Sequence, residues 1–138
     1  MNLPPNTPYT ACDIDTEMAR FLNSFLTITQ TPGSAILNDL IASPPPIQAD
    51  IAFILKTLPC LRHQTPDLGQ ILDQIRANWL VISFPTKSLS SKNKGMSTTY
   101  RAMFNELATP RSWKFTELEF ASELVYVVST RVARATSP

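Results

Sequence analysis

Lys114-Phe115-Thr116-Glu117-Leu118-Glu119-Phe120-Ala121-Ser122-Glu123-Leu124-Val125-Tyr126-Val127-Val128 is the stretch on which the fold turns. Thr116 and Glu119 have the spacing of a capping box, in which a hydroxyl takes one orphan amide and a carboxylate reaches back to another. Phe115 and Phe120 stand where a hydrophobic staple would close over that start. Leu118, Ala121, Val125, Val128 and Val132 then recur at the period of one helix face. The pattern predicts a long helix from Thr116 to about Arg134, with Arg131 and Arg134 in its last turn complementing the dipole. A second apolar stripe of Phe120, Leu124 and Val127 runs beside the first. A helix with two apolar faces is either central to its own core or shared with a partner.

Outward from that stretch, the rest of the chain also divides at helical spacings. Asp13 or Asp15 can cap a helix whose stripe is Met18, Leu22 and Phe25, with Glu17 in its first turn. Thr31-Pro32-Gly33 ends it, and Ser34 can cap a short helix through Ile41. Pro46 suits the first position of a helix carrying Ile47, Ile51, Ile54, Leu55 and Leu58. Thr65-Pro66-Asp67 opens another, with Leu68, Ile71, Leu72, Ile75 and Trp79 on one side. Ser97 can start a helix presenting Tyr100, Met103, Phe104 and Leu107. Trp79-Leu80-Val81-Ile82-Ser83-Phe84 is ambiguous, because a short apolar run has no decisive period. Taken together these elements predict an all-α protein, a compact bundle of five or six helices. A proline-rich N-terminal arm would occupy residues 1–12 and a single helical domain residues 13–135, with a mobile basic loop at 86–96.

The 138 residues include 43% hydrophobic and 17% charged residues, 12 Pro and 3 Gly. This fits one folded domain rather than a disordered chain. The net charge of +1 conceals a split: residues 1–73 carry a net of −4 and residues 74–138 a net of +5. Such a split can serve nucleic acid or the acidic half of another copy. No apolar run approaches the ~20 residues that span a bilayer. Neither a secretory signal nor a short cysteine pair is visible, which points to an intracellular, cytoplasmic or nuclear setting with Cys12 and Cys60 reduced.

Few local patterns carry chemistry. His63 is the single histidine, and Thr65-Pro66 breaks the register that would bring Cys60, His63 and Asp67 onto one helix face. Cys60-x-x-His63 with Cys12 falls short of the four ligands of structural zinc. Gly33, Gly69 and Gly95 are isolated, so no phosphate-cradling motif is present. The carboxylates, Glu119 and Glu123 among them, form no paired acid–base set. The sequence therefore reads as a non-enzymatic helical adaptor, of cellular, viral or plasmid origin, acting through protein contacts that include self-association. Phe120, Leu124 and Val127 are its expected partner-binding residues. The alternative is a nucleic-acid-binding accessory protein using the basic region 76–101, with Lys87, Lys92, Lys94 and Arg101 on phosphates. Neither reading needs a metal or a small-molecule cofactor.

Overall fold

A computed structural model describes residues 3–87 and 95–131. The element order is β1 (Tyr9–Asp13), α1 (Thr16–Ile28), β2 (Gly33–Leu37), β3 (Gln48–Leu55), α2 (Leu58–Arg62), α3 (Leu68–Gln74), β4 (Arg76–Pro85), α4 (Met96–Ala108), β5 (Lys114–Glu119) and β6 (Glu123–Ser129). The protein is thus mixed α/β, and the all-α bundle is overturned. The chain forms two compact units, Met1–Pro46 and Ile47–Pro138.

The first unit is a β-α-β crossover. β1 and β2 pair in parallel, from Tyr9 opposite Gly33 to Asp13 opposite Leu37. The residues read as the end of an extended arm, Tyr9 to Cys12, are extended but hydrogen-bonded into this sheet. α1 starts where its cap is legible: Asp15 accepts from the amides of Glu17 and Met18. The Asn23 amide group donates to the Ala35 carbonyl at 2.9 Å and accepts from the Ala35 amide at 2.8 Å, fastening the helix to β2. Gly33 has φ +149°, and a Cβ there would collide with the Tyr9 carbonyl. The short helix expected from Ser34 is instead strand β2.

The second unit holds a four-stranded sheet in the order β3-β4-β6-β5, with β3 and β4 parallel and the other neighbours antiparallel. Ala52, Leu80, Val128 and Phe115 form one row across it, and Ile54, Ile82, Tyr126 and Glu117 the next. On that face α2, α3 and α4 supply Leu58, Leu68, Leu72, Met103, Phe104 and Leu107 to a common core with the strands. α4 buries the face read from the sequence, Met103, Phe104 and Leu107, although its cap is Gly95 rather than Ser97. Arg111 brackets the Asp73 carboxylate at 2.8 and 2.9 Å, joining the turn after α4 to α3.

Two further helices of the sequence reading are strands here, and each has a physical reason. The segment 47–58 carries apolar residues that fit a helix stripe, but Ile51 to Leu55 is also the unbroken apolar run of a parallel strand. The segment 114–134 is a hairpin. Its turn is closed by the Phe120 amide donating to the Glu123 carbonyl at 2.8 Å. Val125, Val127 and Val128 are β-branched and pack well on a pleated surface. Each supposed helix stripe draws on both faces of β6: Leu124, Tyr126 and Val128 are buried, whereas Val125 and Val127 are half-buried on the other side. Trp79 to Phe84 lies within strand β4. Among the described residues no helix is long and apolar enough to cross a membrane.

Candidate functional site

In open α/β sheets ligands bind at the carboxyl ends of the parallel strands. Each unit has one such edge, and both carry polar groups.

In the first unit β1 runs into Asp13. Its Oδ1 accepts from the Asp15 amide at 2.8 Å. Asp15 is occupied by capping. The Asn38 amide N–H donates to the Asp13 carbonyl at 2.9 Å, drawing the two strand ends together. Asp39 turns the chain by accepting from the Ile41 amide at 2.9 Å. The Asn38 side chain donates toward Ser43, while its Oδ1 is buried with no hydrogen-bond partner. A buried acceptor left unpaired costs about 1–3 kcal/mol, so a donor arriving there gains what the free protein forgoes.

In the second unit β3 ends at Leu55 and Lys56 follows with φ +55°. That left-handed conformation is unfavourable for a residue with a Cβ, and such positions concentrate at functional sites. The Lys56 amide donates to the Ser83 carbonyl at 3.0 Å. Its Nζ lies 3.3 Å from Glu123 Oε1. The fully buried Ser83 donates its hydroxyl to the same oxygen at 3.3 Å. The Thr86 amide reaches the Ser122 carbonyl at 3.1 Å. The ends of two parallel strands and the β5–β6 turn thereby share one polar cluster. The ion pair is half exposed and adds little stability by itself.

Deeper in this unit an aromatic stack carries a charged cap. Phe104 and Tyr126 lie face to face, with ring centroids 3.6 Å apart and Phe115 edge-on to both. The Tyr126 hydroxyl donates to Glu117 at 2.8 Å. Arg101 donates to Glu117 at 3.0 Å and to Glu119 at 2.9 Å. Burial, then the bond to Glu117, pushes the Tyr126 hydroxyl pKa up. The Arg101 guanidinium holds Glu117 below the usual carboxylate range. This group ties α4 to the hairpin.

The residues singled out by sequence are scattered. Phe120 is exposed in the hairpin turn, Leu124 is fully buried in the core, and Val127 is on the opposite face of β6. Lys87 is exposed just beyond the carboxyl end of β4. Lys92, Lys94 and most of the basic loop at 86–96 lie outside the described residues. Arg101 is already engaged by two carboxylates. Among the described residues no three His, Cys, Asp or Glu side chains form a metal-binding group. Asp13, Asn38, Lys56, Ser83 and Glu123 were not singled out as a site. For Asp13, Asn38 and Lys56 the signal was position, a polar residue at or just past the end of a strand, and it appears only once the strands are known.

The sequence model of the family described as ribosomal RNA methyltransferase (FmrO) matches residues 1–127. A 16S rRNA (guanine(1405)-N(7))-methyltransferase of Frankia casuarinae is 40% identical over 130 residues, 93% of this chain and 46% of that protein. The protein of the same name from Micromonospora rosea is 36% identical, over 93% of this chain and 47% of its own length. The crystal structure of the 16S rRNA methyltransferase RmtF in complex with S-adenosyl-L-homocysteine superposes with a TM-score of 0.79 at 30% identity, covering 87% of this chain and 46% of that one. The architecture is that of the Rossmann-like methyltransferases. The chain spans about half the length of these relatives.

Proposed function

This chain belongs to the ribosomal RNA methyltransferase (FmrO) family, and on that premise we propose that it takes part in S-adenosylmethionine-dependent methylation of a guanine N7 in 16S rRNA. The family match overturns the adaptor and self-association reading, and with it the expectation of no enzyme. The expected protein partner gives way to an RNA substrate and a small-molecule methyl donor. The alternative reading, a nucleic-acid-binding protein, was the nearer one.

The observation that carries the proposal is the match over 127 residues, which contains both polar strand edges. The carboxyl edge of β1 and β2 suits the nucleoside part of the donor. An acidic residue at such a strand end takes ribose hydroxyls in Rossmann-like sites, and Asp13, the last residue of β1, suits that role. The unpartnered Asn38 Oδ1 offers an acceptor to an amine such as the one on adenine. When bound, S-adenosylmethionine supplies an electrophilic methyl group on a sulfonium.

Guanine N7 is a hydrogen-bond acceptor with an in-plane lone pair. It has no proton to lose before it forms a bond to carbon, and the carbon–sulfur bond breaks as that bond forms. The protein then needs no general base. Its work is to hold the base in line, exclude water and guide the phosphates. Lys56, steadied by Glu123, and the exposed Lys87 supply positive charge at the second edge.

The test uses 30S subunits from a strain lacking this modification, incubated with the protein and methyl-tritiated S-adenosylmethionine. Label in 16S rRNA, released from one guanine by borohydride reduction and aniline cleavage, supports the reading. Label at an adenine, at a guanine N2 or in protein sinks it.

A further inference from the structure

Lys56 and Glu123 set a hydrogen-bond donor beside an acceptor on a fixed mount. Lys56 follows β3, and its amide N–H is bonded to the Ser83 carbonyl at 3.0 Å. Glu123 opens β6 opposite Pro85 of β4. Its Oε1 lies 3.3 Å from the Lys56 ammonium and accepts from the fully buried Ser83 hydroxyl at 3.3 Å. Among the described residues nothing bonds Oε2. An ammonium has three N–H groups, and the carboxylate takes one direction only. The two side chains are 53% and 33% exposed, so a ligand can reach both.

The pair is a poor strut, because an exposed ion pair adds little stability while Lys56 is held at φ +55°. It also suits a phosphate poorly. Phosphate contacts rest on positive charge, and a carboxylate 3.3 Å from the ammonium repels the anion that the ammonium attracts. A donor beside an acceptor instead matches the edge of a base. Phe120 stands across the hairpin turn, its amide bonded to the Glu123 carbonyl at 2.8 Å, and is 56% exposed. Unstacked RNA bases are bound by such a combination, an aromatic ring for the face and polar groups for the edge.

The order of the pair selects between purines. In guanine O6 lies beside N7 and accepts, while N1–H, next along the edge, donates. In adenine the amino group lies beside N7 and donates, while N1 accepts. We propose that Lys56 Nζ donates to O6, and Glu123 Oε2 accepts from N1–H, of the guanine whose N7 is methylated, so that this pair selects guanine. The inference rests on the function proposed above, which fixes where N7 points. Adenine in the same pose sets an amino group against the ammonium and a bare nitrogen against the carboxylate. A site built to hydrogen-bond one edge rejects a base that leaves its polar groups unpaired.

The carboxylate also serves the transfer. As N7 bonds the methyl carbon, the carbon–sulfur electron pair stays on sulfur, and the positive charge passes from the sulfonium to the purine. N1–H becomes a stronger donor as that charge develops. Its bond to Glu123 therefore tightens in the transition state, where added stabilisation raises the rate.

The experiment titrates dye-labelled RNA oligonucleotides with the full 138-residue chain and reads fluorescence anisotropy. Each is a uridine tract with a central guanosine, inosine, adenosine or 2-aminopurine. A single strand removes the cost of extruding the base. Guanosine and inosine share O6 and N1–H and should bind alike. Adenosine and 2-aminopurine should bind roughly tenfold more weakly or worse. Glu123→Ala should bring guanosine down to the adenosine level. Lys56→Glu combined with Glu123→Lys keeps the ion pair but reverses its order, and should turn the preference toward adenosine with circular dichroism unchanged. Tighter binding of every oligonucleotide by Glu123→Ala would make Lys56 a phosphate contact and overturn the inference. So would equal affinity of the wild-type chain for all the oligonucleotides, inosine at the adenosine level, or no binding at tens of micromolar. Guanosine preference in a chain that leaves 16S rRNA unlabelled defeats the proposed function and leaves the base reading standing. Label on a guanine, transferred by a chain without that preference, does the reverse.

Discussion

Lys56 Nζ and Glu123 Oε1 lie 3.3 Å apart, although the two residues come from the end of β3 and the start of β6, which are not neighbours in the sheet. Ser83 of the intervening strand donates to the same carboxylate oxygen. The pair is held across β4 at the edge where a parallel sheet binds its ligand. Lys56 also occupies a backbone conformation, φ +55°, that glycine would adopt without penalty.

A lysine kept there against its backbone preference predicts a separation of stability from activity. Lys56→Gly should leave the thermal midpoint unchanged or raise stability by up to ~1 kcal/mol, through relief of the left-handed strain. The exposed ion pair it removes contributes about as little. RNA methylation should fall at least tenfold. A variant that loses stability and activity in proportion would make Lys56 a folding residue alone.

Asp13→Asn tests the first edge. Asparagine can still accept from the Asp15 amide through Oδ1, so the turn into α1 survives. The charge that would favour ribose hydroxyls is gone. Donor affinity, measured by calorimetry, should drop by about 1.5–3 kcal/mol, the range for a hydrogen bond to a charged group. Equal affinity in the variant would move the nucleoside site elsewhere.

Why the site was hidden follows from the chemistry and the periods. The local patterns that mark an enzyme are nucleophiles, paired acids, metal ligands and glycine loops. Methyl transfer to an unprotonated ring nitrogen needs none of the first three, so their absence never argued against an enzyme. The cap of α1 at Asp15 and the inner face of α4 were legible because local hydrogen bonding and a period of 3.6 fix them. Strands β3, β4 and β6 were not. These strands carry apolar side chains on both faces, so their sequences show no alternation, and spacings of three and four then arise by chance within an unbroken apolar run. Thr116 and Glu119 met the capping-box rule by sequence, but strand pairing with Val127 and Leu124 overrides a local cap worth about 1 kcal/mol. The proline-marked boundaries were real. They separate strands from helices as well as they separate helices.

The Tyr126–Glu117–Arg101 group predicts a stability profile with two flanks. Glu117 has a depressed pKa in the folded state, with Arg101 as the leading cause. Its contribution is present above the unfolded value of about 4.3 and is lost as pH falls through the lower folded value. Tyr126 has a raised pKa, first through burial. Its contribution is present below about 10 and is lost as pH climbs through the folded value. Glu117→Gln should flatten the acid flank in urea titrations across pH 2–6, and Tyr126→Phe the alkaline one, at a cost of about 0.5–1.5 kcal/mol at neutral pH. An acid flank unchanged in Glu117→Gln would mean that another carboxylate sets it.

The basic residues of 76–101 separate by the same logic of partners. Lys87 is exposed, and it shares a polar, acid-free segment with Lys92 and Lys94. We propose that these three contact ribosomal RNA phosphates. Each such contact releases a counterion, so affinity falls with salt at a slope of about −0.7 to −0.9 per phosphate. Replacing all three by Gln should reduce the slope of log affinity against log salt by about 2–3, with the thermal midpoint unchanged. Arg101 belongs to the other class, because Glu117 and Glu119 already neutralise it. Arg101→Gln should lower stability by loosening α4 from the hairpin, and should leave the salt slope where it was. If instead Arg101→Gln reduces the slope by a full phosphate while the protein melts as before, the arginine leaves its carboxylates to bind RNA. An unchanged slope in the triple lysine variant would remove this segment from the RNA interface.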